Sequence, residues 1–121
     1  MPVYQSSDRI YGFIRLNERE NGLKFEIEYS PDTVDHFRAL TARQRAAVLD
    51  EVDVQLQHEP DVETRNRKPM RPNPVAPWEL RIGDLRVYYD IEYDPAKRVL
   101  IRAVGVKTRN IVKIGGEEIQ L

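Results

Sequence analysis

The stretch Trp78-Glu79-Leu80-Arg81-Ile82-Gly83-Asp84-Leu85-Arg86-Val87-Tyr88-Tyr89-Asp90-Ile91-Glu92-Tyr93 decides the fold, together with its continuation through Asp94-Pro95-Ala96-Lys97 into Arg98-Val99-Leu100-Ile101-Arg102-Ala103-Val104-Gly105-Val106. β-Branched and aromatic residues dominate it, and it predicts three strands at 78–82, 85–93 and 98–106. Gly83-Asp84 is a two-residue hairpin turn, and residues 94–97 form the next turn. Apolar residues alternate with Arg81 and Arg86, and neighbouring side chains on a strand point to opposite faces. One face of the meander is therefore expected to be core while the other shows guanidinium groups. The guanidinium fork matches phosphate geometry, so an RNA-directed or other anion-directed surface is the first expectation.

Upstream, Leu23, Phe25, Ile27 and Tyr29 alternate with Lys24, Glu26 and Glu28, the pattern of a half-buried strand. Ser30 before Pro31 and Asp32 reads as a helix start, with Val34, Phe37 and Leu40 as the apolar stripe. Thr41 caps a second helix that runs to about His58 and buries Val48, Leu49, Val52 and Leu56. Pro60 ends it. A joint this short implies a helix hairpin. Residues 59–77 read as a loop, because Pro60, Pro69, Pro72, Pro74 and Pro77 oppose regular structure. Downstream, residues 111–121 read as a turn at Gly115-Gly116 and a short strand. The expected class is α+β: an antiparallel or mixed sheet with an N-terminal strand, an αα-hairpin on one face and a C-terminal β-meander. Residues 1–22 are expected to be a weakly ordered extension, and residues 23–121 the single domain.

The length of 121 residues suits one core without staples, and 40% apolar with 32% charged residues suits a globular protein. With no cysteine there is no disulfide framework and no thiolate metal site. No long apolar run or signal-peptide pattern is present, so membrane insertion is not expected and a cytoplasmic location is. The net charge of −1 hides an asymmetry: residues 1–64 hold 7 Lys and Arg against 13 Asp and Glu, whereas residues 65–121 hold 12 against 7. The basic half suits a polyanion, the acidic half a cationic partner.

Several motifs in this order match a known pattern. They are the strand-helix-helix start, Lys68-Pro69-Met70-Arg71-Pro72, Trp78-Glu79-Leu80-Arg81-Ile82-Gly83, Leu85-Arg86-Val87-Tyr88-Tyr89, and Ala103-Val104-Gly105 before a basic cluster. Over residues 23–121 the chain resembles the RelE/ParE superfamily of toxins from bacterial type II toxin–antitoxin pairs. The resemblance implies a microbial RNase-like sheet and a small antitoxin partner, whose acidic C-terminal segment would lie across the helix hairpin and the basic sheet face. RelE-like members cut mRNA on the ribosome without metal or cofactor and so inhibit translation. ParE-like members inhibit DNA gyrase. Fold alone does not choose between them.

Metal-free RNA cleavage needs a base for the 2′-hydroxyl, cations at the phosphate and an acid for the leaving oxygen. By resemblance Arg81 and Arg86 hold phosphate, and Lys107 and Arg109 fall where another catalytic cation follows the glycine. Glu79 stands where RelE-like toxins carry a lysine, and would serve as a base. Arg65, Arg67, Lys68 and Arg71 on the proline-rich loop, with Lys113, would contact the RNA backbone. The tail reads Ile111-Val112-Lys113 where RelE-like toxins carry a tyrosine. Taken together, the expectation is a metal-independent endoribonuclease toxin acting on mRNA, free or on the ribosome, and meeting DNA only through its antitoxin complex. The alternatives are a gyrase inhibitor and a degenerate toxin that only binds its antitoxin. Tyr88, Tyr89, Tyr93 and Trp78 are expected in the sheet's core and rim rather than on bases. His36 and His58 lie 22 positions apart without ligand spacing, so no metal site is expected.

Overall fold

Alternating side chains along the C-terminal strands give the sheet two faces, one buried beneath the helices and the other only partly covered. The computed structural model describes residues 24–121. Leu23 and the expected extension at 1–22 lie outside the described residues. In chain order the elements are β1 (Glu26–Tyr29), α1 (Thr33–Arg38), α2 (Ala42–Leu56), β2 (Arg67–Pro69), β3 (Trp78–Ile82), β4 (Leu85–Glu92), β5 (Arg98–Thr108), β6 (Ile111–Ile114) and β7 (Glu117–Ile119). They form one seven-stranded mixed sheet in the order β2-β3-β4-β5-β6-β7, with β1 parallel to the first half of β5. This is the expected α+β architecture.

Leu80, Leu85, Val87, Tyr89, Val99, Ile101 and Val104 form the core beneath the helices, packed with Val48, Val52 and Leu56 of α2. Full burial of such side chains stabilises by about 1.5–3 kcal/mol each. On the opposite face a smaller cluster gathers Tyr88, Ala103, Val112, Ile114 and Ala76. The guanidinium face is thus half-covered by its own apolar patch. Between Tyr88 and Tyr89 the β4–β5 register slips: Tyr88 faces Ala103 and Tyr89 faces Ile101. The extra β5 residue is a bulge. It lets both Ile101 and Val104, three positions apart, reach the helix-side core.

The second helix starts as expected. Thr41 Oγ1 accepts from the Gln44 amide at 3.1 Å and Gln44 Oε1 accepts from the Thr41 amide at 2.9 Å, a capping box. Arg45 Nη1 donates to Leu40 O at 2.7 Å and closes the end of α1. The first helix corrects the reading. Ser30 does not cap it: its amide donates to Ile101 O and its hydroxyl to Arg102 O, extending the β1 pairing, so α1 begins at Thr33. Val34 is 53% and Leu49 45% exposed, outside the apolar stripes assigned to them. The stripe of α2 is narrower, Val48-Val52-Leu56 at intervals of four, because one sheet face covers only one ridge.

Two further corrections concern irregular segments. Within 59–77, residues 67–69 pair with β3 as an edge strand, Arg67 opposite Leu80 and Pro69 opposite Trp78. An edge strand tolerates a proline because one side of its ladder is open. The tail holds two strands, β6 and β7, around Gly115 and Gly116, whose positive φ values of 62° and 84° suit a glycine turn. Among the described residues no helix is long and apolar enough to cross a membrane.

Candidate functional site

On the sheet face away from the helices, register places Lys68, Glu79, Arg81, Arg86, Tyr88, Gly105 and Lys107 on the same side. Lys68 is opposite Glu79, Glu79 opposite Tyr88, Arg81 opposite Arg86, and Arg86 opposite Gly105. Gly105 must be glycine here. A Cβ would collide with the Lys113 carbonyl and lie 2.9 Å from Ile114 Cγ1. The strand β6 therefore packs tightly beside β5.

A cleft of about 720 Å³ opens on this face. Lys68, Arg71, Arg81 and Lys107 line it around Glu79, with Met70 and Ile111 among its apolar walls. Lys107 projects from the far end of β5, where its amide donates to Asp84 O at 2.8 Å, and no acid pairs with its side chain among the described residues. Lys68 makes a loose 3.5 Å pair with Glu63, a partly solvated and so weak one. Arg71 is held by Asn73, a residue sequence reasoning passed over. Its Nδ2 donates to Arg71 O and Ala76 O, and its Oδ1 accepts from Val75 N and Ala76 N. The signal was present in Pro72-Asn73-Pro74, since an asparagine among turn residues closes its own backbone loop.

Glu79 is the hub. Arg81 Nε donates to Glu79 Oε1 at 2.8 Å, and Arg86 Nε lies 3.9 Å from Oε2. The two arginines differ in kind. Arg81 is 45% exposed and has Glu79 as its partner, whereas Arg86 is 13% exposed and Nη1 is fixed by Gly83 O at 2.7 Å and Leu85 O at 2.8 Å. Beneath them lies Tyr88, fully buried, its hydroxyl without a hydrogen-bond partner. Burial raises the Tyr88 phenol well above its ordinary value, and the Glu79 carboxylate pushes the same way.

The other expected residues are dispersed. Arg67 is buried in the core edge, its Nη1 donating to Gln55 O at 2.7 Å and its Nε to Val62 O at 3.0 Å; it ties β2 to the end of α2 and faces no cleft. Arg65 is exposed on the preceding bend. Arg109, with φ of 61° in the β5–β6 turn, and Lys113 line a separate groove beside α1 with His36 and Leu40. In that groove the Val104 amide, unpaired in the gap between β1 and β6, donates to His36 Nδ1 at 3.3 Å. Desolvation lowers the His36 pKa, opposed by Asp32 and Asp35. His58 is exposed.

The cleft is lined by cations and by two acidic side chains, the mostly buried Glu79 and the exposed Glu118, and can hold a phosphodiester with a carboxylate beside it. No family model and no curated protein matches the chain. Among solved structures it is similar to a chain of the toxin–antitoxin complex RelBE2 from Mycobacterium tuberculosis, with a TM-score of 0.54 and 23% identity, covering 69% of this chain and 99% of that one. The likeness is one of fold: this chain has the RelE-like fold.

Proposed function

We propose that the chain is the toxin of a type II toxin–antitoxin pair and a metal-independent endoribonuclease that cleaves mRNA. The observation that carries this reading is the cleft lined by Lys68, Arg71, Arg81 and Lys107 together with Glu79 on the helix-free face of a RelE-like sheet. Arg81 and Lys107 hold the scissile phosphate, and Arg86 supplies fixed positive charge from behind. Glu79 takes the proton from the ribose 2′-hydroxyl. The 2′-oxygen then bonds to phosphorus, the bond to the 5′-oxygen breaks, and the Lys107 ammonium protonates that leaving oxygen. The products are a 2′,3′-cyclic phosphate and a 5′-hydroxyl. Lys68 and Arg71 on the cleft wall add salt-dependent affinity for the RNA backbone. A cognate antitoxin covers the cleft, its acidic segment occupying the place of RNA.

The test is incubation of purified, folded protein with mRNA, with and without ribosomes, in the presence of chelator. Fragments ending in cyclic phosphate are expected; intact RNA in both cases eliminates the reading. A second reading, inhibition of DNA gyrase by protein contact, is favoured by Glu79 partly neutralising Arg81 and Arg86, and by a tail without tyrosine. A supercoiling assay separates the two, since a nuclease leaves gyrase working at saturating protein.

A further inference from the structure

Four buried side-chain polar atoms lack a hydrogen-bond partner among the described residues: Tyr29 Oη, Arg86 Nε, Tyr88 Oη and Arg98 Nε. Two of them, Arg86 Nε and Tyr88 Oη, border the same carboxylate, Glu79. A buried unsatisfied donor is destabilising, and two beside one acceptor call for an explanation. Glu79 gives Oε1 to Arg81 at 2.8 Å and leaves Oε2 3.9 Å from Arg86 Nε, with the Tyr88 phenol beside the carboxylate but in no hydrogen bond of good geometry. Arg81 is half-exposed, lines the cleft and is tied by its side chain to Glu79, whereas Arg86 is bonded to two backbone carbonyls.

We infer that Tyr88 is a positioning residue: when Arg81 turns from Glu79 to a phosphate in the cleft, the Glu79 carboxylate settles onto the Tyr88 hydroxyl and Arg86 Nε. The inference rests on reading the cleft as a phosphate site. Its physical basis is the cost of stranding a carboxylate that is only 10% exposed. A shift of about 1 Å brings the 3.9 Å approach of Arg86 Nε into hydrogen-bond range. The phenol remains a donor throughout, because burial and the adjacent carboxylate keep it protonated. The exchange keeps Glu79 ionised and oriented at the moment Arg81 leaves it. It also explains why a tyrosine, not a phenylalanine, is buried in the apolar cluster under the cleft.

A double-mutant cycle on the full chain tests this without RNA. Tyr88→Phe, Arg81→Ala and the double variant are unfolded in urea. In the parent, where the hydroxyl makes no hydrogen bond of good geometry, Tyr88→Phe changes the folding equilibrium constant by less than about twofold. With Arg81→Ala already present, Glu79 has moved onto Tyr88, and the same change lowers the constant by about tenfold. Equal effects in both backgrounds overturn the inference. If the double variant does not fold, Arg81→Ala alone is compared with the parent by guanidinium Nε–H resonances. Slowed solvent exchange of Arg86 Nε–H supports the move, and unchanged exchange overturns it. The mRNA assay is read separately. Coupling without cleavage removes the nuclease reading and leaves the Glu79 contact standing, whereas cleavage without coupling removes this inference alone.

Discussion

Tyr88 and Tyr89 are neighbours on β4, both without exposed surface, and they point to opposite faces. Tyr89 stacks on Trp78 with ring centroids 6.0 Å apart and donates its hydroxyl to Pro60 O at 2.8 Å. Tyr88 has an equally buried hydroxyl that lies beside the Glu79 carboxylate without a hydrogen bond of good geometry. The contrast belongs to these two sites rather than to whole faces, since Tyr29 Oη, packed against the helix-side core, also lacks a partner. Under the helices, apolar packing is continuous and the buried phenol of Tyr89 is satisfied; opposite, polar groups are buried in an incomplete network around Glu79. A closed face gives stability, and an incomplete one leaves groups available to a ligand.

Substitutions sharpen this division. The largest effect belongs to the helix side. Leu80→Ala is expected to cost about 2–5 kcal/mol in urea unfolding, because Leu80 is wholly buried and α2 cannot follow the lost volume. A loss below about 1 kcal/mol would show that the core tolerates a cavity there. On the cleft side, Arg81→Ala is expected to lower RNA cleavage by about 10²-fold or more while unfolding stays close to the parent's, since the side chain is 45% exposed. Parallel losses of activity and stability would make Arg81 a structural residue and break the comparison. A smaller effect separates the tyrosines themselves. Tyr89→Phe, which strands Pro60 O, should cost about 1 kcal/mol, against less than about 0.5 kcal/mol for Tyr88→Phe. The reverse order would falsify the assignment of Tyr89 as the satisfied phenol and Tyr88 as the unsatisfied one.

The smallest effect lies at the rim between the faces. His36 accepts the Val104 N–H and is desolvated, so its folded pKa is below the ordinary 6.5. The folded state then binds this proton less readily than the unfolded chain. Its stabilising effect is complete above the unfolded value and is lost as pH falls through the lower folded one. Between about pH 7 and pH 5 the urea midpoint should fall more for the parent than for His36→Gln, after the common carboxylate trend is subtracted. Identical pH profiles would remove His36 from the account.

Much was readable along the chain because it is local. The strand alternation, the Gly83-Asp84 turn, the Thr41 cap and the order of the cations Lys68, Arg71, Arg81 and Lys107 depend on near neighbours. Charge type was readable too, but its use was not. Arg67 and Arg71 look alike in sequence, and one is sunk against Gln55 O and Val62 O while the other lines the cleft. Arg81 and Arg86 were assigned one role, and backbone carbonyls that sequence does not display hold Arg86 while Arg81 reaches the cleft half-exposed. Ser30 carried a helix-cap signal and was taken by β5, seventy-odd positions away, because an open strand edge competes for the same donor.

By itself, the sequence determined that this is an α+β chain with a basic C-terminal sheet, since hydrophobic period and turn chemistry act over a few residues. Tertiary structure alone decided which cations meet, which acid stands between them and which phenol is left waiting. Those outcomes depend on strand register, on a one-residue bulge in β5 and on Gly105 letting β6 close in, and each couples residues far apart in the chain.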